Sequence, residues 1–295
     1  MSDYYGLPTR TISNQHLRLE YLATAGPRIV RLALAGSAEN LLAETPDLKL
    51  GTPYGDYFFR GGHRLWLAPE DFPRSYIPDN DGLTVEEQPD GVGLSGPTEA
   101  ATGIRKSIEV HLSHDRPAVT LIHRLHNNGP EPVELAPWAI TQLPLGGLAV
   151  LPLRANPADP AGLLPDRHLA LWPYTRWQDD RLRVQDEYVL IEARPQPTAC
   201  KVGAWNPRGW LGYRRAGVFF LKRFQPQDHG PHPDRGCNAE VYVKDRFIEL
   251  ETLGPLRSLE PGQAAMHVET WELYPGPDAP QTPAGVRALV RALHL

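Results

Sequence analysis

Residues 237–255 read CNAEVYVKDRFIELETLGP, and this stretch predicts a β-hairpin. In its first half Val241 and Val243 alternate with polar residues, and in its second half Ile248 and Leu250 do the same. A repeat of two residues is typical of a strand whose two faces meet different surroundings. The stretch therefore predicts two antiparallel strands with one apolar face and one polar face.

A two-residue turn at Asp245–Arg246 would place Glu240 opposite Glu251 and Tyr242 opposite Glu249. Directly paired side chains have β-carbons about 4.5–5.5 Å apart. Crowded carboxylates raise at least one pKa unless a cation, a hydrogen-bond network or a substrate relieves them, so the hairpin predicts a functional site. Two alternatives stay open: the carboxylates mark a solvated sheet face, or a three-residue turn shifts the register and removes the Glu240–Glu251 pair.

The composition favours a neutral or weakly charged ligand. The chain has 295 residues and a net charge of −5, with no basic run that would indicate nucleic acid binding. It has no apolar run of about 18 residues and no signal-peptide pattern, so we expect no membrane contact and a soluble, cytoplasmic protein. Cys200 and Cys237 are far apart in sequence, and we expect both to be inert rather than paired or metal-binding.

The rest of the chain predicts an all-β fold with a short C-terminal helix. More than a dozen short strands follow one another with Pro, Gly, Asn and Asp turns and no internal repeat, which favours a β-sandwich over a propeller. The same rhythm continues on both sides of the Pro- and Ala-rich residues Pro152–Pro165, so we expect one domain over residues 1–295. Thr282 before Pro283–Leu295 predicts an N-capped amphipathic helix.

Residues 57–71 read YFFRGGHRLWLAPED and form a second candidate wall of a site. The two glycines allow a close approach to a ligand, the arginines can bind hydroxyls or phosphate, and the indole offers an apolar face to a sugar. The residues concerned are Arg60, His63, Arg64, Trp66 and Glu70. The alternative is that this segment is simply the beginning of a strand, with side chains that pack against the rest of the fold and bind no ligand.

Three further histidines, at positions 123, 229 and 232, are not predicted to act in catalysis or metal binding. His123 shares a strand face with Leu121 and Leu125, which indicates a buried histidine with satisfied hydrogen bonds. His229 and His232 lie in a polar loop whose spacing matches no metal-binding pattern. We therefore expect neither a metal nor a cofactor.

Several short segments, in chain order, resemble the aldose 1-epimerase (galactose mutarotase-like) superfamily. They are LEYLATAGPRIVRL at 19–32, ENLL at 39–42, FRGG at 59–62, IELET at 248–252 and LEPG at 259–262. A finer resemblance, to a branch near the hexose-6-phosphate epimerases, is carried by GGHRLWLAPE at 61–70, HRLHNNG at 123–129 and LAPWAIT at 135–141. The resemblance implies a β-supersandwich whose concave face binds a sugar.

The resemblance also implies a reaction that needs no cofactor. In the epimerases a Glu removes the proton of the anomeric hydroxyl, a His protonates the ring oxygen, and the opened aldehyde recloses on either face. Glu251 matches the catalytic Glu, and Arg60 matches an arginine near the sugar. Where the sugar-phosphate epimerases have their His, this chain has Trp138, whose indole N–H donates a hydrogen bond but transfers no proton at neutral pH.

Three hypotheses follow. The first is an epimerase with Glu251 as base and His63 as a substitute acid. The second is a sugar-binding protein without catalysis, because Trp138 replaces the His and suggests stacking on a sugar ring. The third is a glycosidase, whose retaining form places two carboxyls about 5–5.5 Å apart. The predicted substrate-binding residues are Arg60, Arg64, Trp66, Trp138, Glu240, Tyr242 and Glu249. The predicted partner is a small carbohydrate, and exposed sheet edges allow a monomer or a homodimer.

Overall fold

The structure is a computed structural model that describes residues 2–154, 159–276 and 282–295. Within these ranges the chain forms 23 β-strands. The first twelve are β1 Ser2–Tyr4, β2 Leu7–Ser13, β3 Leu17–Leu22, β4 Ile29–Leu34, β5 Glu44–Thr52, β6 Gly55–Gly61, β7 His63–Ala68, β8 Thr84–Gln88, β9 Gly91–Thr98, β10 Ile104–Leu112, β11 Ala118–Asn127 and β12 Val133–Pro144.

The second half of the chain adds eleven strands to these. They are β13 Leu148–Pro152, β14 Ala170–Leu171, β15 Leu182–Val184, β16 Tyr188–Glu192, β17 Cys200–Ala204, β18 Trp210–Arg215, β19 Val218–Phe224, β20 Ala239–Val243, β21 Phe247–Leu253, β22 Arg257–Leu259 and β23 Ala264–Pro275. The helical elements are a 3₁₀ turn at Arg74–Tyr76, a single turn α1 at Pro233–Gly236, and helix α2 at Pro283–Ala292.

Two large antiparallel sheets face each other across the main core. The front sheet has the strand order β1-β2-β3-β4-β7-β12-β21-β20-β17-β14, with β22 paired to β12. The back sheet has the order β15-β16-β13-β18-β19-β23-β11-β10-β9-β8, and β5-β6 forms a separate ribbon. Their shared core takes Leu65 and Leu250 from the front sheet and Leu121 and Phe220 from the back sheet. The prediction of an all-β sandwich is confirmed.

The hairpin of β20 and β21 has the predicted register. Glu240 pairs with Glu251 and Tyr242 pairs with Glu249. Glu240 and Glu251 are 0% and 1% exposed, so a solvated face does not explain these carboxylates. The alternatives of a wet face and a three-residue turn are therefore wrong.

Helix α2 begins where the sequence predicts. The Thr282 hydroxyl accepts a hydrogen bond from the backbone N–H of Gly285, and the helix ends at Ala292, three residues before the predicted end. Val286 and Val290 are buried in a cluster with Leu148 of the back sheet. Within the described residues, no helix has the length and apolar character needed to cross a bilayer.

A buried polar network joins the two sheets beneath the site face. The Lys222 ammonium on β19 lies 2.9 Å from Glu269 Oε1 on β23, and both side chains are 0% exposed. Lys222 also donates to Thr141 Oγ1 and to the Ala139 carbonyl on β12. Trp271 Nε1 donates to Glu269 Oε2 at 3.1 Å. Lys222 and Glu269 thus compensate each other's charge inside the sandwich.

The hydrogen bonds around His63 and His123 determine which ring nitrogen carries each proton. His123 Nδ1 must donate to the His267 carbonyl at 3.0 Å, so its Nε2 accepts from His63 Nε2 at 2.8 Å. His63 Nδ1 then accepts from the Thr141 hydroxyl at 2.9 Å. Both rings are neutral in this arrangement. The prediction that His123 is buried with satisfied hydrogen bonds is confirmed.

His123 is expected to make wild-type stability depend on pH in a way that His123→Gln removes. Burial lowers the pKa of His123 to about 4, whereas an unfolded histidine has a pKa of about 6.5. Between these values only the unfolded chain binds the proton, so this residue's stabilising contribution falls as the pH falls. In urea unfolding, the free energy of unfolding of the wild type minus that of the variant should be about 2 kcal/mol smaller at pH 5 than at pH 7.5.

The comparison with a variant is needed because other groups oppose this effect. Burial raises the pKa of Glu240 well above its usual value, so this carboxyl stabilises the fold as the pH falls. The charged groups nearest the His123 ring are Glu269 and Lys222, and both are present in either protein. An advantage that stays constant from pH 7.5 to pH 5 would show that His123 is not held neutral.

Candidate active site

The predicted hairpin forms the floor of a cavity on the front sheet, on the face that points away from the core. The cavity has a volume of about 440 Å³, within the range of small-molecule sites. Its walls come from the β5–β6 ribbon, the segment after β7 and the segment after β14. Its lining includes Arg64, Trp66, Trp138, Lys201, Glu249 and Glu251.

The two carboxylate oxygens of Glu251 differ in their hydrogen bonding. Its Oε2 accepts from Trp138 Nε1 at 2.7 Å and from Lys201 Nζ at 2.9 Å. Its Oε1 is buried without a hydrogen-bond partner among the described residues. Burial raises the pKa of Glu251, and the contacts with Lys201 and Trp138 offset only part of that rise. The carboxylate is therefore fixed in orientation while one oxygen can accept a proton.

Lys201 joins Glu251 to the deeper carboxyl of Glu240. Its Nζ lies 2.8 Å from Glu240 Oε2, and its side chain is 4% exposed. Burial raises the pKa of Glu240 well above its usual value, and Lys201 offsets only part of the rise. Burial acts to lower the pKa of Lys201, but the two carboxyls outweigh it and hold that pKa well above the usual value. We therefore assign a protonated, neutral carboxyl to Glu240, and Lys201 and Glu251 form the ionised pair.

Aromatic rings enclose the Lys201 ammonium. Its Nζ lies 4.6 Å from the ring centre of Trp138 and 4.4 Å from that of Trp172, at cation–π distance. Trp138 is 2% exposed, and its indole N–H is engaged by Glu251. Trp138 thus lines the cavity, and its polar contacts in the structure are with Glu251 and Lys201.

Arg64 and Glu249 form a second ion pair in the cavity wall. Arg64 Nη2 donates to Glu249 Oε1 at 2.9 Å, and Gln142 Nε2 donates to the same oxygen at 2.8 Å. The Arg64 guanidinium lies 4.3 Å from the Trp66 ring centre. The Arg64–Glu249 pair and the Trp66 ring therefore lie together in the cavity wall. Polar groups beside an aromatic ring can bind the hydroxyls of a sugar and its apolar face.

Seven predicted site residues line the cavity, and an eighth lies directly behind it. Those at the lining are Arg64, Trp66, Glu70, Trp138, Tyr242, Glu249 and Glu251. Glu240 is fully buried behind Lys201. The structure thus brings the hairpin and β7 together across β12, as the pairing of β12 with both strands requires.

His63 does not lie in the cavity, so its prediction as the substitute acid does not fit the structure. Successive residues of a strand point to opposite faces, so His63 faces the core while its neighbour Arg64 faces the cavity. His63 is 0% exposed and bonds to Thr141 and His123. Burial also lowers its pKa well below the usual value, so the ring stays neutral, and its one N–H is donated to His123.

Arg60 is also outside the cavity lining. Its guanidinium donates to Asn80 and lies 5.1 Å from the Phe58 ring centre. The cause is the turn at Gly61 and Gly62, which have φ of +78° and +65°. A Cβ at Gly62 would lie 1.9 Å from the Ile29 carbonyl oxygen, so only glycine fits this turn. The strand alternation that places Arg64 in the cavity therefore does not extend back to Arg60.

Sequence reasoning missed Lys201, Trp172 and Tyr174. Lys201 is the one charged residue of the buried strand Cys200–Ala204, and that is the only local signal it gives. Its strand pairs with β20 and sets Lys201 opposite Tyr242, a long-range register that no motif reports. Trp172 and Tyr174 reach the cavity from the segment after β14.

One cluster of side chains has ligand types suited to a metal ion. His63, His123 and Glu269 place ligand atoms within 4.8 Å of one another. The Lys222 ammonium already lies 2.9 Å from Glu269, and the facing nitrogens of the two rings hydrogen-bond to each other. A cation there would be repelled by Lys222, so the residues present fit a charge-balanced network better than a metal centre.

The comparisons with known proteins concern the fold. No protein-family model matches the chain, and no curated protein matches it in sequence. Solved structures match over most of the chain. A candidate aldose 1-epimerase from Escherichia coli K12 is 14% identical, with 92% of this chain and 100% of that one covered at a TM-score of 0.51.

Two further structures give the same result. A galactose mutarotase-like protein from Lactobacillus casei is 12% identical, with 90% and 100% covered and a TM-score of 0.56. A candidate mutarotase from Salmonella typhimurium is also 12% identical, with 91% of each chain covered and a TM-score of 0.58. At these identities the likeness concerns the architecture alone. The chain has the galactose mutarotase-like fold.

Proposed function

We propose that the protein binds an aldose in the front-sheet cavity and interconverts its anomers, with Glu251 as the general base. The observation that carries this proposal is the state of the Glu251 carboxylate. Trp138 and Lys201 hold Oε2, while the buried Oε1 has no partner among the described residues. A positioned carboxylate with one unengaged oxygen is suited to remove the proton of an anomeric hydroxyl.

A neutral sugar fits the charges of the cavity. Arg64 is paired with Glu249, and Lys201 is paired with Glu251 and Glu240. At the rim, Arg246 binds Asp47 at 2.6 Å. These pairs balance three of the four cationic side chains of the lining, and the fourth, Lys244, has Asp245 next to it in the chain; carboxylates and amides suit sugar hydroxyls. The likeness in fold to proteins described as mutarotase candidates supports the same substrate class.

A sugar-binding protein without catalysis is the second candidate. It is favoured by Trp138 at the position where the epimerases have their His, and no histidine of the described residues lines the cavity. A glycosidase has less support. Such an enzyme needs two carboxyls that face the glycosidic bond, and Glu240 is 0% exposed behind Lys201.

Exchange spectroscopy of sugar anomers tests the proposal. The wild-type protein would be mixed with free and 6-phosphorylated hexoses and pentoses, and the α-to-β exchange rate would be measured by NMR against buffer. We expect faster exchange for at least one free aldose and a smaller effect for its 6-phosphate. Line broadening from binding without faster exchange would instead support the non-catalytic candidate. Neither effect on any sugar would contradict both.

A further inference from the structure

We propose that Lys201 is the general acid of this site and delivers a proton to the ring oxygen when the sugar opens. The inference rests on the proposed anomer interconversion and supplies the acid that the reaction still lacks. The base alone cannot open the ring, because the departing ring oxygen needs a proton at neutral pH. His63 and Trp138 are both unsuited, the first by position and the second by chemistry.

The position of Lys201 fits this role. Its side chain lines the cavity, and its Nζ lies 2.9 Å from Glu251 Oε2. The base and the ammonium are therefore adjacent. The anomeric oxygen and the ring oxygen of an aldose are bonded to the same carbon, so two adjacent groups can serve them, Glu251 the anomeric hydroxyl and Lys201 the ring oxygen. An ammonium has three N–H donors; one donates to Glu251 Oε2, and the Nζ also lies 2.8 Å from Glu240 Oε2. At least one N–H is left for a ligand.

The ion pair makes the acid stronger at the moment it is needed. In the resting site, the carboxyls beside Lys201, of which Glu251 is the ionised one, hold its pKa well above the usual value against the effect of burial. When Glu251 takes the anomeric proton, its charge disappears. Burial then disfavours the remaining ammonium, so Lys201 releases a proton more readily. Proton uptake by the base and proton release by the acid are thereby coupled.

The step balances without any other reactant. Glu251 Oε1 takes the proton of the anomeric hydroxyl, and the O–H electron pair forms the C1=O1 bond. The C1–O5 bond breaks, its electron pair goes to O5, and O5 takes a proton from Lys201 Nζ. After rotation about C1–C2, O5 attacks the other face of C1, returns its proton to Lys201, and O1 regains a proton from Glu251.

Other proton carriers in the cavity are less suited. Neither the Tyr174 nor the Tyr242 phenol bonds to Glu251, whose Oε2 accepts from Trp138 and Lys201 and whose Oε1 has no partner among the described residues. The Tyr76 hydroxyl donates to Glu70. Arginine holds its proton in proteins, so Arg64 can orient a sugar without acting as an acid. Among the groups named here, only Lys201 is paired directly with the base.

Two variants separate an acid from a residue that only keeps Glu251 ionised. Lys201→Arg keeps a positive charge beside Glu251 but cannot release a proton. Lys201→Met removes both charge and proton. If Lys201 is the acid, both variants should lose about 10²–10⁴-fold in the anomer exchange rate at saturating sugar. Raising the pH from 7 to 9.5 should not restore Lys201→Met beyond the change seen in buffer.

The same experiment can overturn the inference. A Lys201→Arg rate within tenfold of wild type would assign Lys201 an electrostatic role only. So would recovery of Lys201→Met at pH 9.5, since a high pH ionises Glu251 without its partner. Sugar binding and thermal unfolding would be recorded for each variant, so that a misfolded protein is recognised. A wild type that accelerates no aldose would overturn the proposed function itself, together with this inference.

Discussion

Glu251→Gln is expected to lower the anomer exchange rate at saturating sugar by about 10²–10⁴-fold, the usual contribution of a general base. The amide has nearly the same shape as the carboxylate, and its oxygen can still accept from Trp138 and Lys201. It cannot take a proton from a hydroxyl. The variant should therefore bind sugar with an affinity close to that of wild type, and NMR exchange and binding titration would be measured on the same samples.

Glu249→Gln is the matched control for this experiment. Glu249 lies two residues away on the same strand face and also lines the cavity, but its Oε1 is engaged by Arg64 and Gln142. We expect its loss to weaken sugar binding more than it slows exchange at saturation. If Glu249→Gln abolished exchange while Glu251→Gln kept a rate near wild type, the assignment of the base to Glu251 would be wrong.

The hairpin shows how much of the site the sequence could predict. Alternation assigned each residue to a face, and the two-residue turn fixed the pairs, so Glu240 and Glu251 were placed opposite each other. Only local information is needed for this, because a strand repeats every two residues and a short turn sets the register. Arg64 and Trp66 are predicted from the residue types around the two glycines, and it is the alternation in the structure that separates them from His63.

Long-range pairing explains what the sequence could not predict. Lys201 is separated from Glu251 by 50 positions, and only the order of strands β21, β20 and β17 brings the ammonium to the carboxylate. His63 was misplaced for a different reason. The glycine turn before β7 made its neighbours resemble a binding loop, whereas the strand begins at His63 and directs that side chain to the core.

The buried network of Lys222 and Glu269 could not be predicted from the sequence for the same reason as the position of Lys201. Lys222 and Glu269 are charged residues in strands that otherwise read as apolar or mixed, and the two lie far apart in the sequence. They meet because β19 and β23 are neighbours in the back sheet. Of this network the sequence indicated only that His123 is buried.

Lys222→Met is expected to lower the free energy of unfolding by about 3–5 kcal/mol, the effect of removing one partner of a buried ion pair. Glu269 would then be a carboxyl 0% exposed without its cation. In the wild type, burial acts to raise the pKa of Glu269, but Lys222 and the neighbouring histidines outweigh it and hold that pKa well below the usual range. Urea unfolding at pH 7.5 would measure the loss.

A double variant separates the lost charge balance from lost packing. Lys222→Met with Glu269→Gln leaves no buried charge, so it should recover part of the stability that the single change removes. Lys49→Met provides the surface control, because Lys49 and its partner Asp56 are 53% and 43% exposed and such pairs contribute about 0–1 kcal/mol. A loss below about 1 kcal/mol for Lys222→Met would mean that Glu269 is not charged in the fold. The two sheets would then be joined by apolar packing and neutral hydrogen bonds.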